Sequence, residues 1–280
     1  MRKLSNFIGF VAFVVLLTGC GGNIGDMAQN AIYPSATVNK TPVPEVPPAP
    51  LEQVYLDITV ADQQFKQHIW YYAQAEAARP VVIYFHGNGE NLATVYKSGT
   101  FAKIANSVKS HVVAIDYPSY GRTTGKASQA TLTAGAAATI EWVSTTFPQS
   151  KIYIFGWSLG AAVASQMAAH EKVSRFVITS PWTTLRDLAD KMFSALVPLV
   201  PKEFFAANVW DSVDAATRID IPGYVLHGTD DKLIPFEFGQ RVHAAHNQNN
   251  VKFVTLQGRV HNDVFQDEKL WNVLVDFFGK

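Results

Sequence analysis

Gly156-Trp157-Ser158-Leu159-Gly160 places a serine between two glycines, directly after the apolar run Lys151 to Phe155 and directly before Ala161-Ala162-Val163-Ala164. This is a G-x-S-x-G motif at a strand-to-helix junction, where a sharp turn can lift a serine hydroxyl out of the backbone as a nucleophile. The turn demands strained backbone at the serine, and a side chain at Gly156 or Gly160 would collide with the neighbouring strand or helix. Taken alone the pentapeptide also reads as a Gly-Ser loop; the strand before it and the small-residue helix after it favour the nucleophile.

A serine hydroxyl is a weak nucleophile at neutral pH unless a base accepts its proton, and the base needs a carboxylate to hold its tautomer. Both are available further along the chain. His227-Gly228-Thr229-Asp230-Asp231 follows the apolar run Tyr224 to His227, and Gly258-Arg259-Val260-His261-Asn262-Asp263 follows Lys252 to Leu256. The acid is Asp231 or its neighbour Asp230, and the base is His261. His68, His111, His170, His243 and His246 suggest no carboxylate partner and read as solvated or structural. His243 and His246, three apart on a helix, lack an evident third ligand, so no metal and no cofactor is expected.

These groups sit on an alternating frame. Apolar runs at Val54 to Val60, His68 to Ala73, Val81 to Phe85, Val112 to Asp116, Lys151 to Phe155, Arg175 to Thr179, Tyr224 to His227 and Lys252 to Leu256 read as eight strands. Helical periods fall over Thr94 to Ser107, Ser128 to Thr146, Leu159 to His170, Phe236 to Ala245 and Glu268 to Phe278. That is an α/β pattern: a mostly parallel eight-stranded sheet with helices on both faces, and an antiparallel edge where the first two strands follow each other without a helix.

Five stretches in order carry a resemblance to a known family: Tyr84-Phe85-His86-Gly87-Asn88-Gly89, Asp116-Tyr117-Pro118-Ser119-Tyr120-Gly121, Gly156-Trp157-Ser158-Leu159-Gly160, His227-Gly228-Thr229-Asp230-Asp231 and His261-Asn262-Asp263. From about residue 54 to the end the chain resembles the α/β-hydrolase-domain serine hydrolases that include lysophosphatidylserine lipase and the protein depalmitoylases. The resemblance implies the α/β-hydrolase fold with Ser158, Asp231 and His261 as catalytic residues. It assigns the oxyanion hole to the backbone N–H groups of Asn88 and Leu159, and a loop-shaping role to His86. The family pattern often has Arg-Gly where this chain has Pro118-Ser119.

Lys plus Arg (23) balance Asp plus Glu (23), which leaves no basic field for nucleic-acid phosphates. With 280 residues, 48% of them hydrophobic, the chain can bury one large core once its N-terminal part is set aside. Arg2 and Lys3 precede an apolar run, Phe7 to Leu17, of 11 residues, short of the roughly 20 that span a bilayer. The run ends in Leu17-Thr18-Gly19-Cys20, which resembles the lipobox of bacterial lipoproteins. Residues 1–19 are thus expected as a signal peptide and Cys20, the only cysteine, as the site of acyl (palmitate-type) attachment. The alternative is an ordinary secretory leader. Gly21, where Asp would favour inner-membrane retention, points to the outer membrane of a Gram-negative envelope. Residues 20–50, rich in Gly, Asn, Thr and Pro, read as an extended tether standing the domain several nanometres off the membrane, and residues 51–280 as the hydrolase domain.

Between Pro181 and Ile221 lies an insertion with Met192, Phe193, Leu196, Val197, Leu199, Phe204 and Phe205, interrupted by Pro198 and Pro201. It is expected either to form a lid-like apolar cover with an acyl pocket or to pack one helix on the sheet. The expected substrate is a carboxylic ester or thioester, with a lipid or acylated group favoured by the anchor. A peptidase of the same fold and a non-catalytic binding lipoprotein are the rival readings, and oligomeric state is left open.

Overall fold

In the computed structural model, which describes residues 24–279, eight strands form one sheet. They are β1 (Glu52–Val60), β2 (Gln63–Tyr72), β3 (Val81–Phe85), β4 (His111–Ile115), β5 (Ile152–Trp157), β6 (Val173–Thr179), β7 (Gly223–Gly228) and β8 (Val251–Leu256), in the spatial order β1-β2-β4-β3-β5-β6-β7-β8. From β4 to β8 all pairings are parallel, whereas β1 pairs β2 and β2 pairs β4 antiparallel. The eight expected strands and the antiparallel edge are therefore all present.

Strand β3 shows why the centre is parallel and doubly covered. Every residue from Val81 to Phe85 is fully buried. Side chains alternate across a strand, so Val81, Ile83 and Phe85 join one core with Leu132, Ile140 and Val163, while Val82 and Tyr84 join the other with Ile104, Val108 and Leu274. A strand that buries both faces has no use for polar alternation, which is why it reads as a continuous apolar run.

The helices, in chain order, are α1 (Ile24–Ile32), α2 (Ser35–Val38), α3 (Leu92–Lys97), α4 (Thr100–Val108), α5 (Gln129–Thr146), α6 (Leu159–Met167), α7 (Leu185–Phe193), α8 (Lys202–Ala207), α9 (Ser212–Ala216), α10 (Phe236–Ala245) and α11 (Glu268–Phe278). The single helix expected over Thr94 to Ser107 is instead α3 and α4, because Gly99 takes φ +77 between them and breaks the helical path. Helix α11 buries Leu270, Leu274 and Phe278 at four-residue spacing. Each such side chain contributes about 1.5–3 kcal/mol of burial, so the C-terminus is an integral part of the fold.

The segment expected as a tether is corrected by the structure. Residues 1–23, including the expected signal peptide and Cys20, lie outside the described residues, but 24–43 are docked on the domain, while Pro44 to Pro50 stay mostly exposed. Helix α1 presents Ile24, Met27, Ala28, Ala31 and Ile32 on one face, the i, i+3, i+4, i+7, i+8 spacing of an amphipathic helix. Tyr33, 2% exposed, donates its hydroxyl hydrogen to Asn208 Oδ1 (2.7 Å) and accepts from Trp210 Nε1 (2.8 Å). Asn39 spans the Asp116–Gly121 loop, donating to the Ser119 carbonyl (2.9 Å) and accepting from the Gly121 N–H (2.8 Å). Composition hid this, because Gly, Asn and Pro are frequent in the segment while the apolar face of α1 and the buried Tyr33, Val38 and Val43 do the packing.

Candidate active site

Strand β5 ends at Trp157, and Ser158 follows at φ +56, ψ −117, a backbone conformation that L-residues avoid. The Ser158 N–H donates to the Thr179 carbonyl of the next strand at 3.0 Å, and its own carbonyl receives the N–H groups of Ala161 (2.9 Å) and Ala162 (3.3 Å). The chain around it fixes this geometry. A Cβ on Gly156 would strike the Gly160 carbonyl, and one on Gly160 would strike the carbonyls of Phe85 and His86. The two glycines thus let α6 lie directly against the ends of β5 and β3.

His261 and Asp231 arrive from the ends of β8 and β7. His261 Nε2 lies 3.0 Å from Ser158 Oγ, and His261 Nδ1 donates to Asp231 Oδ2 at 2.7 Å. All three are nearly enclosed, at 5% (Ser158), 6% (Asp231) and 6% (His261) exposure. The other carboxylate oxygen, Asp231 Oδ1, accepts from the backbone N–H groups of Leu233 (2.9 Å) and Ile234 (2.8 Å). Burial would push the Asp231 carboxyl up, but hydrogen bonds from His227 and His261 and the Ile234 amide outweigh it and hold the group well below the usual carboxylate range. Asp231 is therefore an anion able to fix the Nδ1–H tautomer of His261, leaving Nε2 to accept from the serine.

Asp230 does not compete. It is exposed and its carboxylate accepts from the Thr229 hydroxyl at 2.9 Å. His86 is likewise placed for a structural role: its Nδ1 bonds the Gly87 carbonyl (2.7 Å), its ring lies 4.3 Å from that of Tyr117, and the Tyr117 hydroxyl donates to the His86 carbonyl (2.8 Å). Burial lowers its pKa, which keeps the ring neutral.

The two amides expected as the oxyanion hole fall on adjoining elements. Leu159 is the first residue of α6, where a helix has no earlier carbonyl of its own for the N–H. Asn88 lies in the loop after β3, next to the point where Gly160 packs on Phe85 and His86. That loop is braced by a residue the sequence reading did not single out. Glu90 accepts from the Gly87 N–H (3.1 Å) and the Tyr84 hydroxyl (3.2 Å), and burial pushes its carboxyl up to about 7. Its only signal in the sequence is a lone acid inside an otherwise apolar and glycine-rich stretch.

The departure at Pro118-Ser119 also has a physical reading. Ser119 takes φ +73, a conformation better suited to glycine, while its hydroxyl donates to the Gly125 carbonyl (3.0 Å) and its carbonyl accepts from Asn39. The hydrogen bonds hold the loop where a glycine would reach it without strain.

His243 and His246 do not converge on a metal. His243 Nε2 bonds the Val251 carbonyl (3.1 Å) and His246 stacks on Phe176 at 5.2 Å. Among the described residues no group of three or more His, Cys, Asp or Glu side chains is arranged to hold an ion.

Met192, Phe193, Leu196, Val197, Leu199, Phe204 and Phe205 line a cavity of about 240 Å³, whose remaining wall includes Met27, Ala28 and Ile32 of α1. No described helix is long and apolar enough to cross a membrane.

The chain is similar to known hydrolases. A family model described as the α/β hydrolase fold matches residues 80–209. Lysophosphatidylserine lipase ABHD12 of Danio rerio is 27% identical over 244 residues, covering 77% of this chain and 62% of that protein. Protein ABHD12B of Homo sapiens is 27% identical over 240 residues, covering 78% of this chain and 66% of that protein. The chain thus spans about three fifths of the length of the first of these relatives and about two thirds of the second. Among solved structures, the Pyrococcus furiosus esterase Pf2001 superposes with a TM-score of 0.65 at 19% identity, covering 84% of this chain and 96% of that one. The sheet order, the parallel centre and these likenesses agree: the chain has the α/β-hydrolase fold.

Proposed function

We propose that the protein is a serine hydrolase that cleaves a carboxylic ester or thioester through an acyl-serine intermediate. The observation that carries this reading is the unbroken relay from Ser158 Oγ to His261 Nε2 (3.0 Å) and from His261 Nδ1 to Asp231 (2.7 Å), assembled from three strand ends. Ser158 Oγ attacks the carbonyl carbon as His261 takes its proton. The tetrahedral oxyanion is held by the N–H groups of Leu159 and Asn88. His261 then returns the proton to the leaving alcohol or thiol, leaving the acyl group on Ser158. Water, deprotonated by His261, attacks the acyl-serine and releases the acid. The similarity to proteins named lysophosphatidylserine lipases supports a lipid or lysolipid ester as substrate.

The leader and Cys20 support a second part of the reading: a mature chain acylated on Cys20 and held in the bacterial envelope, at the outer membrane. Labelled palmitate should enter the protein and be lost in Cys20→Ala.

The catalytic reading is tested by fluorophosphonate labelling together with turnover of p-nitrophenyl esters. Ser158→Ala should abolish labelling and lower kcat by at least about 10⁴-fold, and His261→Ala should lower both. A folded wild-type protein that neither labels nor turns over would instead be a binding module on a hydrolase fold.

A further inference from the structure

Nine large apolar side chains are exposed among the described residues, and three of them, Ile24, Leu196 and Leu199, stand on the wall of one cavity. Ile24 begins α1, while Leu196 and Leu199 lie in the insertion about 175 residues away. Exposed apolar groups gathered around the mouth of an apolar cavity are costly in water and mark a surface that meets something apolar.

The position of the anchor says what that something is. Cys20 precedes Ile24 by four steps along the chain, and at ~3.6 Å per step at most any acyl group on Cys20 is bonded within about 14 Å of the cavity rim. With α1 packed beside the insertion, an anchor at Cys20 keeps this face within reach of the bilayer.

The cavity's size and its neighbour say what enters it. An apolar cavity of ~150 Å³ accepts benzene, so 240 Å³ corresponds by proportion to roughly ten carbons, one alkyl chain and not two. Ile32, which forms part of the wall, receives the Asn88 side-chain N–H at 3.3 Å on its carbonyl. The wall therefore adjoins the loop that carries one of the two candidate oxyanion donors.

We propose that α1 and the 192–205 stretch form one membrane-docking face, and that the cavity between them receives a single acyl chain of a lipid drawn from the leaflet that holds the Cys20 anchor. This rests on the ester-hydrolase and Cys20-anchor readings above and adds the source of the substrate and the residues that measure its chain. Met27 and Ala28, on α1, are specificity-determining positions outside the hydrolase motifs.

Two measurements on the full acylated chain test it. In vesicles of phosphatidylethanolamine and phosphatidylglycerol, a nitroxide on Leu199→Cys should be relaxed by oxygen more than by a water-soluble nickel chelate. The same label on Asp57→Cys, at the far sheet edge, should show the reverse. Nickel dominance at both positions overturns the docking face. On p-nitrophenyl esters from butanoyl to hexadecanoyl, Ala28→Trp should lower the ratio of long-chain to short-chain turnover by at least about tenfold, and Met27→Ala, which enlarges the cavity, should raise it. Ratios unchanged in both folded variants overturn the acyl pocket while short-ester turnover leaves the hydrolase standing. Absence of any turnover and of fluorophosphonate labelling in wild type removes the hydrolase reading itself.

Discussion

The side-chain amide of Asn88 donates to the carbonyl of Ile32 at 3.3 Å, tying the loop after β3 to the end of a helix 56 residues earlier. Asn91 adds a second tie, donating to the Thr41 carbonyl at 2.8 Å. The segment before the first strand thus holds the loop that flanks Ser158, and its removal acts on the site as well as on stability.

Tyr33 is the key of that docking. Tyr33→Phe leaves the Trp210 indole N–H without its buried acceptor, while Asn208 Oδ1 keeps the Gln129 N–H as a donor, and an unsatisfied buried polar group costs about 1–3 kcal/mol. Urea unfolding should show a loss of that size with an unchanged m-value.

Asp231→Asn tests the orientation of the base. If the amide oxygen keeps accepting from Leu233 and Ile234, its NH2 faces His261 and donates to Nδ1, which stabilises the wrong tautomer. The expected result is a fold of near wild-type stability with kcat reduced by about 10⁴-fold, read in esterase assays at saturating substrate.

Glu90 gives a pH signature. Burial raises its carboxyl to about 7 from the model-compound value of 4.5, so the folded state holds the proton more tightly than the unfolded chain. The stabilisation is complete below pH 4.5 and is lost as pH rises to about 7, by at most ~3 kcal/mol at ~1.36 kcal/mol per unit. Glu90→Gln keeps an acceptor for Gly87 N–H and Tyr84 and removes the titration. Chemical denaturation at pH 5 and pH 8 should therefore show the variant gaining on wild type as pH rises, a difference in which all other titrating groups cancel.

Gly160→Ala probes the contact between α6 and β3. The added methyl meets the Phe85 and His86 carbonyls, so the helix must move outward and carry the Leu159 amide with it. Stability should fall by about 1–3 kcal/mol, and kcat should fall further than stability alone explains, since an oxyanion donor displaced from its line is worth about 10²-fold or more.

Much of this protein is written locally in its sequence. Strands buried on both faces appear as unbroken apolar runs such as Val81 to Phe85, the proposed elbow appears as Gly156 to Gly160 between a strand and an alanine-rich helix, and the proposed acid and base appear just after the strands that position them. Period and spacing carry these features because each depends on residues only a few positions apart.

What the tertiary structure alone decided depends on partners far away in the chain. Asp230 and Asp231 are neighbours of identical chemistry, and only the approach of β8 to β7 makes Asp231 the one that reaches His261. The five apolar residues of α1 are a weak signal until Phe204 and Phe205 supply the surface they face, and a segment whose composition suggests a free tether becomes a wall of the apolar cavity. A chain's own pattern fixes which face of an element is apolar; which distant surface covers that face is set by shape and hydrogen-bonding partners that exist only once the whole domain has folded.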